Sequence, residues 1–304
     1  VLRELKHLTM EDISSYPKTD RLVRKLAERF NVPTTNILIG TGSEQLIKLI
    51  TQTFLDPRDR VLIERGSFGL FTKESLLANA TVSFFTLARP PKSKARLGFI
   101  ANPKTPTGEL ITQKTIKTMR QRLTPGILVV DEANGELIDE TSIPDAIRSS
   151  NMLVLRTLSK AFGLAGLRIG FVIGPTVLLN ILQEAQQPFA VSQIAIRLGA
   201  AALTDTRFIK KTRSFITRER LFLQTELRSR GLTVSDSVTN NLFILSPQTD
   251  KIILELTKRG VSVINGTFFP GMQTPGFRIS LKDRKTNRLF LKKLDESLAC
   301  INKK

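Results

Sequence analysis

A chain of 304 residues, 41% hydrophobic and with a formal net charge of +19, can bury one large core and a smaller second one. It has no apolar run of the roughly 18 to 20 residues that cross a bilayer, and its one cysteine, Cys300, forbids an internal disulfide, which fits a reducing, cytoplasmic compartment. A single histidine, His7, argues against metal sites and against a Ser-His-Asp nucleophile, so catalysis must rest on Lys, Asp, Tyr or a cofactor.

The first residues, Val1-Leu2-Arg3-Glu4, lack the basic-then-apolar pattern of a signal peptide, and without an initiator Met the chain reads as a fragment or a processed form. From Asn36 to Gly174, short apolar runs alternate with amphipathic stretches. The expected strands are Ile37 to Ile39, Val61 to Ile63, Val82 to Phe85, Gly98 to Ile100, Ile127 to Val130, Met152 to Leu155 and Gly170 to Ile173. Helices are expected at Ser43 to Phe54, Gly69 to Asn79 and Thr112 to Leu123. Brief apolar strands separated by helices predict an α/β fold with a mostly parallel sheet covered on both faces. Ligands of such folds bind at the carboxyl ends of the strands. Long helices are expected from Ser192 to Gly231. Strands at Asn241 to Leu245, Val261 to Ile264 and Phe277 to Leu281 follow, with helices at Lys251 to Arg259 and from Thr286 onward, a smaller α+β domain. The expected division is 16–205 for the large domain and 206–304, with 1–15, for the small one. No internal repeat or low-complexity linker is visible.

Three segments carry chemistry. Gly40-Thr41-Gly42-Ser43-Glu44 follows a strand and opens a helix, where free amides and hydroxyls form a phosphate cradle. It lacks the third glycine of a dinucleotide fingerprint and the Gly-Lys of a P-loop, and Ser43 is equally an ordinary N-cap. Asp131 ends one strand and can bond a cationic ring nitrogen; alone it is equally a turn or cap aspartate. Lys160 lies past the next strand, in Thr157-Leu158-Ser159-Lys160-Ala161-Phe162-Gly163-Leu164-Ala165-Gly166-Leu167-Arg168. Its amine can condense with an aldehyde cofactor while Ser159 and Arg168 hold a phosphate; a lone Ser-Lys pair would be a surface feature. The positive charge is densest in Arg207 to Arg230 and Lys282 to Lys304, where apolar residues at helical spacing point to solvated helix faces. With one Tyr and no Trp, stacking platforms for nucleic-acid bases are scarce.

In this order the segments resemble the fold-type-I pyridoxal-phosphate enzymes, specifically the histidinol-phosphate aminotransferase branch of the class I/II aminotransferases. The run Leu158 to Arg168 is the most specific match. Asn102-Pro103-Lys104-Thr105-Pro106-Thr107-Gly108 resembles the family's asparagine-proline-proline-threonine-glycine loop, and Arg278 in Phe277-Arg278-Ile279-Ser280 matches its substrate-carboxylate arginine. The resemblance covers the chain from about Tyr16 to the C-terminal helix. It implies a pyridoxal 5'-phosphate cofactor and a homodimeric, cytoplasmic enzyme of amino-acid biosynthesis. That enzyme would move an amino group between a small anionic amino acid, such as histidinol phosphate, and a 2-oxo acid. It also implies that Lys160 attaches the cofactor and shuttles a proton, and that Asp131 holds the pyridinium nitrogen. Gly42, Ser43, Ser159 and Arg168 would bind the phosphate, with Glu44 and Thr157 beside them. Phe68 would stack on the ring, and Tyr16 would reach the phosphate at the neighbouring subunit's site.

There are departures. Thr105 stands where the family has an asparagine, and Asn134 where it has a tyrosine, so both usual partners of the cofactor's phenolic oxygen are changed. Lys282 stands near a customary glycine, and the family's N-terminal asparagine- and tyrosine-containing segment has no counterpart before Val1. Two alternatives within the resemblance therefore stay open: a decarboxylase acting on a threonine-phosphate-like substrate, and a cofactor-fold protein with reduced or lost turnover. A nucleic-acid binder driven by the +19 charge is a third class.

Overall fold

Seven apolar runs pair into one sheet: β1 (Ile37–Gly40), β2 (Arg60–Glu64), β3 (Thr81–Phe85), β4 (Leu97–Ala101), β5 (Ile127–Asp131), β6 (Met152–Thr157) and β7 (Gly170–Ile173). Their order is β1-β7-β6-β5-β4-β2-β3. In the computed structural model, which describes residues 1–302, the chain divides into two units. The first comprises Val1–Glu64, Leu70–Asn102 and Thr112–Lys211; the second comprises Arg65–Gly69, Pro103–Ile111 and the chain from Thr212 onward.

In the first unit, β2 to β6 run parallel, while β7 is antiparallel to both β6 and β1. Every residue of β4, β5 and β6 is buried, as expected for parallel strands covered on both faces. Register then aligns their carboxyl ends: Ala101 lies opposite Asp131, and Asp131 opposite Leu155. Helices Gly42–Phe54, Gln113–Leu123, Thr176–Ala185 and Gln193–Leu203 belong to this unit. Two begin where hydroxyls cap free amides: Thr115 N–H donates to Thr112 Oγ1 at 3.3 Å and Ala195 N–H to Ser192 Oγ at 3.2 Å. The long helical stretch is two helices, Gln193–Leu203 and Thr206–Ser229.

Residues 1–15 join the first unit rather than the second, contrary to the expected division. Arg197 is the reason: its Nε lies 2.8 Å from Glu4 and its Nη1 2.6 Å from Asp12, so the acidic N-terminal turns are held on helix Gln193–Leu203.

The second unit has an antiparallel sheet ordered β10-β11-β9-β8, made of β8 (Thr233–Val234), β9 (Asn241–Leu245), β10 (Ile264–Asn265) and β11 (Gly276–Ser280). The strand expected at Val261 to Ile264 shrinks to its last residue plus Asn265, because Val261 to Ile264 is a half-buried to exposed edge with little to pack against. Arg278 sits on β11, opposite Ile264 on one side and Phe243 on the other. The end of β11 is anchored by Asn287, whose Oδ1 accepts Lys282 N–H at 3.0 Å and whose Nδ2 donates to the Lys282 carbonyl at 2.8 Å. Asn287 also donates to Glu219 at 3.1 Å, and Glu219, 1% exposed, takes Arg284 Nε at 2.9 Å. The Arg284 guanidinium lies 3.8 Å above the Phe222 ring. Removing the carboxylate strands Arg284 and Asn287 together. Glu219→Ala is expected to lower unfolding free energy by about 2 to 3 kcal/mol in urea titrations; a change below about 0.5 kcal/mol would contradict this role.

Candidate active site

The carboxyl ends of β5 and β6 hold Asp131 and the loop that carries Lys160. After β6 the chain turns at once. The Thr157 hydroxyl donates to the Ile169 carbonyl at 2.9 Å, accepts Ser159 N–H at 3.1 Å and lies 3.0 Å from Ser159 Oγ. Leu158 is buried and its N–H donates to Ile169, pinning the loop at both ends. Gly163, at φ +68°, closes a turn by donating to the Lys160 carbonyl at 2.9 Å. Lys160 itself is exposed, its amine free to meet a ligand.

Asp131 is 9% exposed, and one carboxylate oxygen accepts Ala133 N–H at 2.9 Å. Burial pushes its pKa up to about 6; the Ala133 hydrogen bond and the Lys160 charge pull the other way, and Glu132 adds to the rise. The acid and the amine therefore act on each other across adjacent strand ends.

A second device lies at the edge of the same sheet. Gly170 pairs with Thr157 on one side and Gly40 on the other, bringing the end of β6 beside the start of helix Gly42–Phe54. Only glycine fits there, since a Cβ would lie 2.4 Å from Gly42 C and Ser43 N. The N-cap Thr41 gives no side-chain cap, so the first-turn amides of Gly42, Ser43 and Glu44 suit an outside anion. Arg168, held at φ +51°, closes the cradle with Nη2 3.2 Å from Glu44 Oε2, and a Cβ on Gly42 would stand 2.7 Å from that nitrogen. Asn134 starts the short turn Gly135–Leu137, with Oδ1 buried and unpartnered.

The first unit thus brings together Asp131, Asn134, Thr157, Ser159 and Lys160 at the ends of β5 and β6, and Gly42, Ser43, Glu44 and Arg168 at the cradle. Tyr16, also in this unit, is 76% exposed and stacks on Phe189, ring centroids 4.5 Å apart, rather than on a cofactor-bearing strand. Phe68 and Thr105 lie on the two segments that cluster with the second unit. The Phe68 segment is tied there by Gly66 N–H to the Pro270 carbonyl at 2.9 Å, and the Thr105 segment by Ser235 Oγ–H to the Thr107 carbonyl at 2.7 Å. Arg278 is half-buried over the Phe269 ring at 5.3 Å, its Nε unpartnered, and lines a 570 Å³ cavity with Lys282 and Ser280. Burial lowers its pKa.

Sequence reasoning missed the buried charges behind the site, Glu132, Arg156, Glu136 and Arg29. The available signal was Arg156 itself, a cation directly after the apolar run Met152 to Leu155 and buried with it, which needs a buried partner.

The residues fit a phosphorylated aldehyde with a basic ring nitrogen: a glycine-built cradle for the phosphate, an exposed amine and a buried acid. The family model for aminotransferase class I and II matches residues 1–294. A histidinol-phosphate aminotransferase of Ruminiclostridium cellulolyticum is 30% identical, over 99% of this chain and 88% of that protein. The histidinol-phosphate aminotransferase of Sinorhizobium meliloti, solved with pyridoxal-5'-phosphate, superposes with a TM-score of 0.90 at 22% identity, over 99% of this chain and 87% of that one. L-threonine-O-3-phosphate decarboxylase from Porphyromonas gingivalis shares the fold at a TM-score of 0.85 and 22% identity, over 98% and 94%. The chain belongs to the class I and II aminotransferases and is a pyridoxal-phosphate-dependent enzyme.

Folding raises the pKa of Asp131 from its ordinary 3.8 to about 6, so burying its charge costs nothing well below pH 3.8, increasingly more between the two values, and its full amount well above pH 6. Asp131→Asn is therefore expected to stabilise the cofactor-free protein by about 2 to 3 kcal/mol at pH 7.5 and by little at pH 4. Urea titrations at the two pH values check this; equal stabilities for parent and variant at pH 7.5 would contradict it.

Proposed function

We propose that the chain transfers an amino group from a small anionic amino compound of the histidinol-phosphate type to a 2-oxo acid, working as a homodimer in the cytoplasm. The observation that carries the reading is the buried carboxylate of Asp131 set against the exposed amine of Lys160 at neighbouring strand ends. When bound, pyridoxal phosphate supplies an electron sink for the pair left as a proton leaves the substrate's α-carbon. Asp131 holds its proton-bearing ring nitrogen by opposite charge. Lys160 would hold the cofactor through its amine and could also take up or return the proton at the substrate's α-carbon. The Gly42, Ser43 and Glu44 amides, Ser159 and Arg168 hold the phosphate. Arg278, with a desolvated guanidinium and no ion-pair partner among the described residues, offers a bidentate grip for the substrate carboxylate. The exposed Tyr16–Phe189 stack supports the homodimer reading, and no described helix is long and apolar enough to cross a membrane.

With the purified protein and pyridoxal phosphate, histidinol phosphate is expected to shift the bound cofactor's visible spectrum, and a 2-oxo acid to reverse the shift. Lys160→Ala should slow this half-reaction by about 10³-fold or more. Release of carbon dioxide from threonine phosphate, with no reversible shift by histidinol phosphate, would favour the decarboxylase, and no shift with any anionic amino donor would overturn the reading. Arg278→Gln should raise KM for the carboxylate-bearing co-substrate about tenfold or more with a smaller effect on kcat; steady-state kinetics decide, and an unchanged KM would remove Arg278 from substrate binding.

A further inference from the structure

Successive residues of a strand point to opposite faces, so the strand ends that present Asp131 and Thr157 on one face place Glu132 and Arg156 on the other. Glu132 is fully buried. Its Oε1 accepts Ser142 N–H at 2.6 Å, and its Oε2 accepts the Thr141 hydroxyl at 2.7 Å and lies 2.7 Å from Arg156 Nη2. Arg156 is 4% exposed; Nη2 also donates to Thr141 Oγ1 at 2.9 Å, and Nη1 stands 3.6 Å from Glu136 Oε1. Glu136 is held from its other side by Arg29 at 2.5 Å. The two guanidinium groups lie over rings, Arg156 over Phe30 and Arg29 over Phe162, each at 5.3 Å. Gly135 makes the space, since a Cβ there would stand 2.4 Å from Arg156 Cζ. Two cations and two carboxylates thus alternate to net zero.

Burying such a chain costs solvation that an apolar cluster would not, yet it lies directly behind the acid. Glu132 is the neighbour of Asp131 in sequence and a like charge that opposes its ionisation; Lys160 and the Ala133 N–H favour it. Facing Arg156 are Glu132, Glu136 and, through Glu136, Arg29. We propose that Arg156 is a positioning residue for Asp131: by neutralising Glu132 on the far face of the sheet, it keeps Asp131 charged for the ring nitrogen of the cofactor. This rests on the cofactor reading above.

The test is the affinity of the cofactor-free protein for pyridoxal phosphate, measured by equilibrium dialysis between pH 5 and 8.5. The variants are Arg156→Met, Arg156→Lys, Glu132→Gln and the double variant Glu132→Gln/Arg156→Met. Asp131→Asn identifies the acidic limb, which it should lack. The midpoint of that limb is expected to rise by about one pH unit in Arg156→Met, to stay near the parent in Arg156→Lys, and to return in the double variant, where both charges are gone. A role in packing alone would leave the midpoint fixed and the double variant as weak as the single. Should Arg156→Met fail to fold, Glu132→Gln remains: its midpoint should fall, and an unmoved midpoint overturns the inference. A parent that binds cofactor while all midpoints coincide overturns this inference alone. A parent that binds none overturns it together with the proposed function.

Discussion

A carboxylate taken out of water at the end of a parallel strand is the constraint on which the site depends. All five residues of β5 are buried, so Asp131 cannot lean on solvent; its charge is supported by the Ala133 N–H and by Lys160 across the strand end. Such a group carries its charge at neutral pH against the cost of burial, and a positive partner lowers that cost. In the function proposed above, a protonated ring nitrogen would be that partner, and the mutual support is strongest where water is excluded. The parallel register supplies the geometry by setting Ala101, Asp131 and Leu155 abreast, so one crevice collects what the strands carry past their ends.

β7 completes the arrangement by running against its neighbours. The loop from Leu158 to Ile169 doubles back under the Thr157 hydroxyl, and Gly170 then sits between Thr157 and Gly40. One glycine without a side chain thereby joins the amine-bearing loop to the helix start proposed to take the phosphate. Arg168, two residues earlier, is delivered to the cradle by the same turn. The strand pairing, rather than any single contact, converts three separate sequence segments into one site.

Much of this was legible in the residues. Apolar runs bounded by turns located the strands, and the Ser159-Lys160 run with Arg168, the acid at 131 and the glycines before Ser43 pointed to the strand ends proposed as the site. The direction of β1 and β7 was not legible, since a short apolar run reads alike in parallel and antiparallel pairs. Nor was the seat of residues 1–15, which depends on Arg197, far along the chain, meeting Glu4 and Asp12. The fragment Val261 to Ile264 has strand composition but lies at an exposed edge, where propensity yields to context. Asn134 illustrates a different limit: its substitution was visible, but only the fold reveals a buried amide oxygen left without a partner. The +19 charge also has a plain physical side. Acids are drawn into pairs such as Arg230 with Asp295 and Arg259 with Glu255, leaving surplus lysines and arginines on exposed helix faces, where single pairs contribute little.

The central claim is that one amine, Lys160, holds the cofactor. Borohydride reduction of the protein loaded with pyridoxal phosphate, followed by proteolysis and mass spectrometry, reads that amine directly. A phosphopyridoxyl mass on the peptide containing Lys160, and absent from the Asp131→Asn protein at low cofactor concentration, is the expected result. The same mass spread over surface lysines, with the Lys160 peptide unmodified, would contradict the claim.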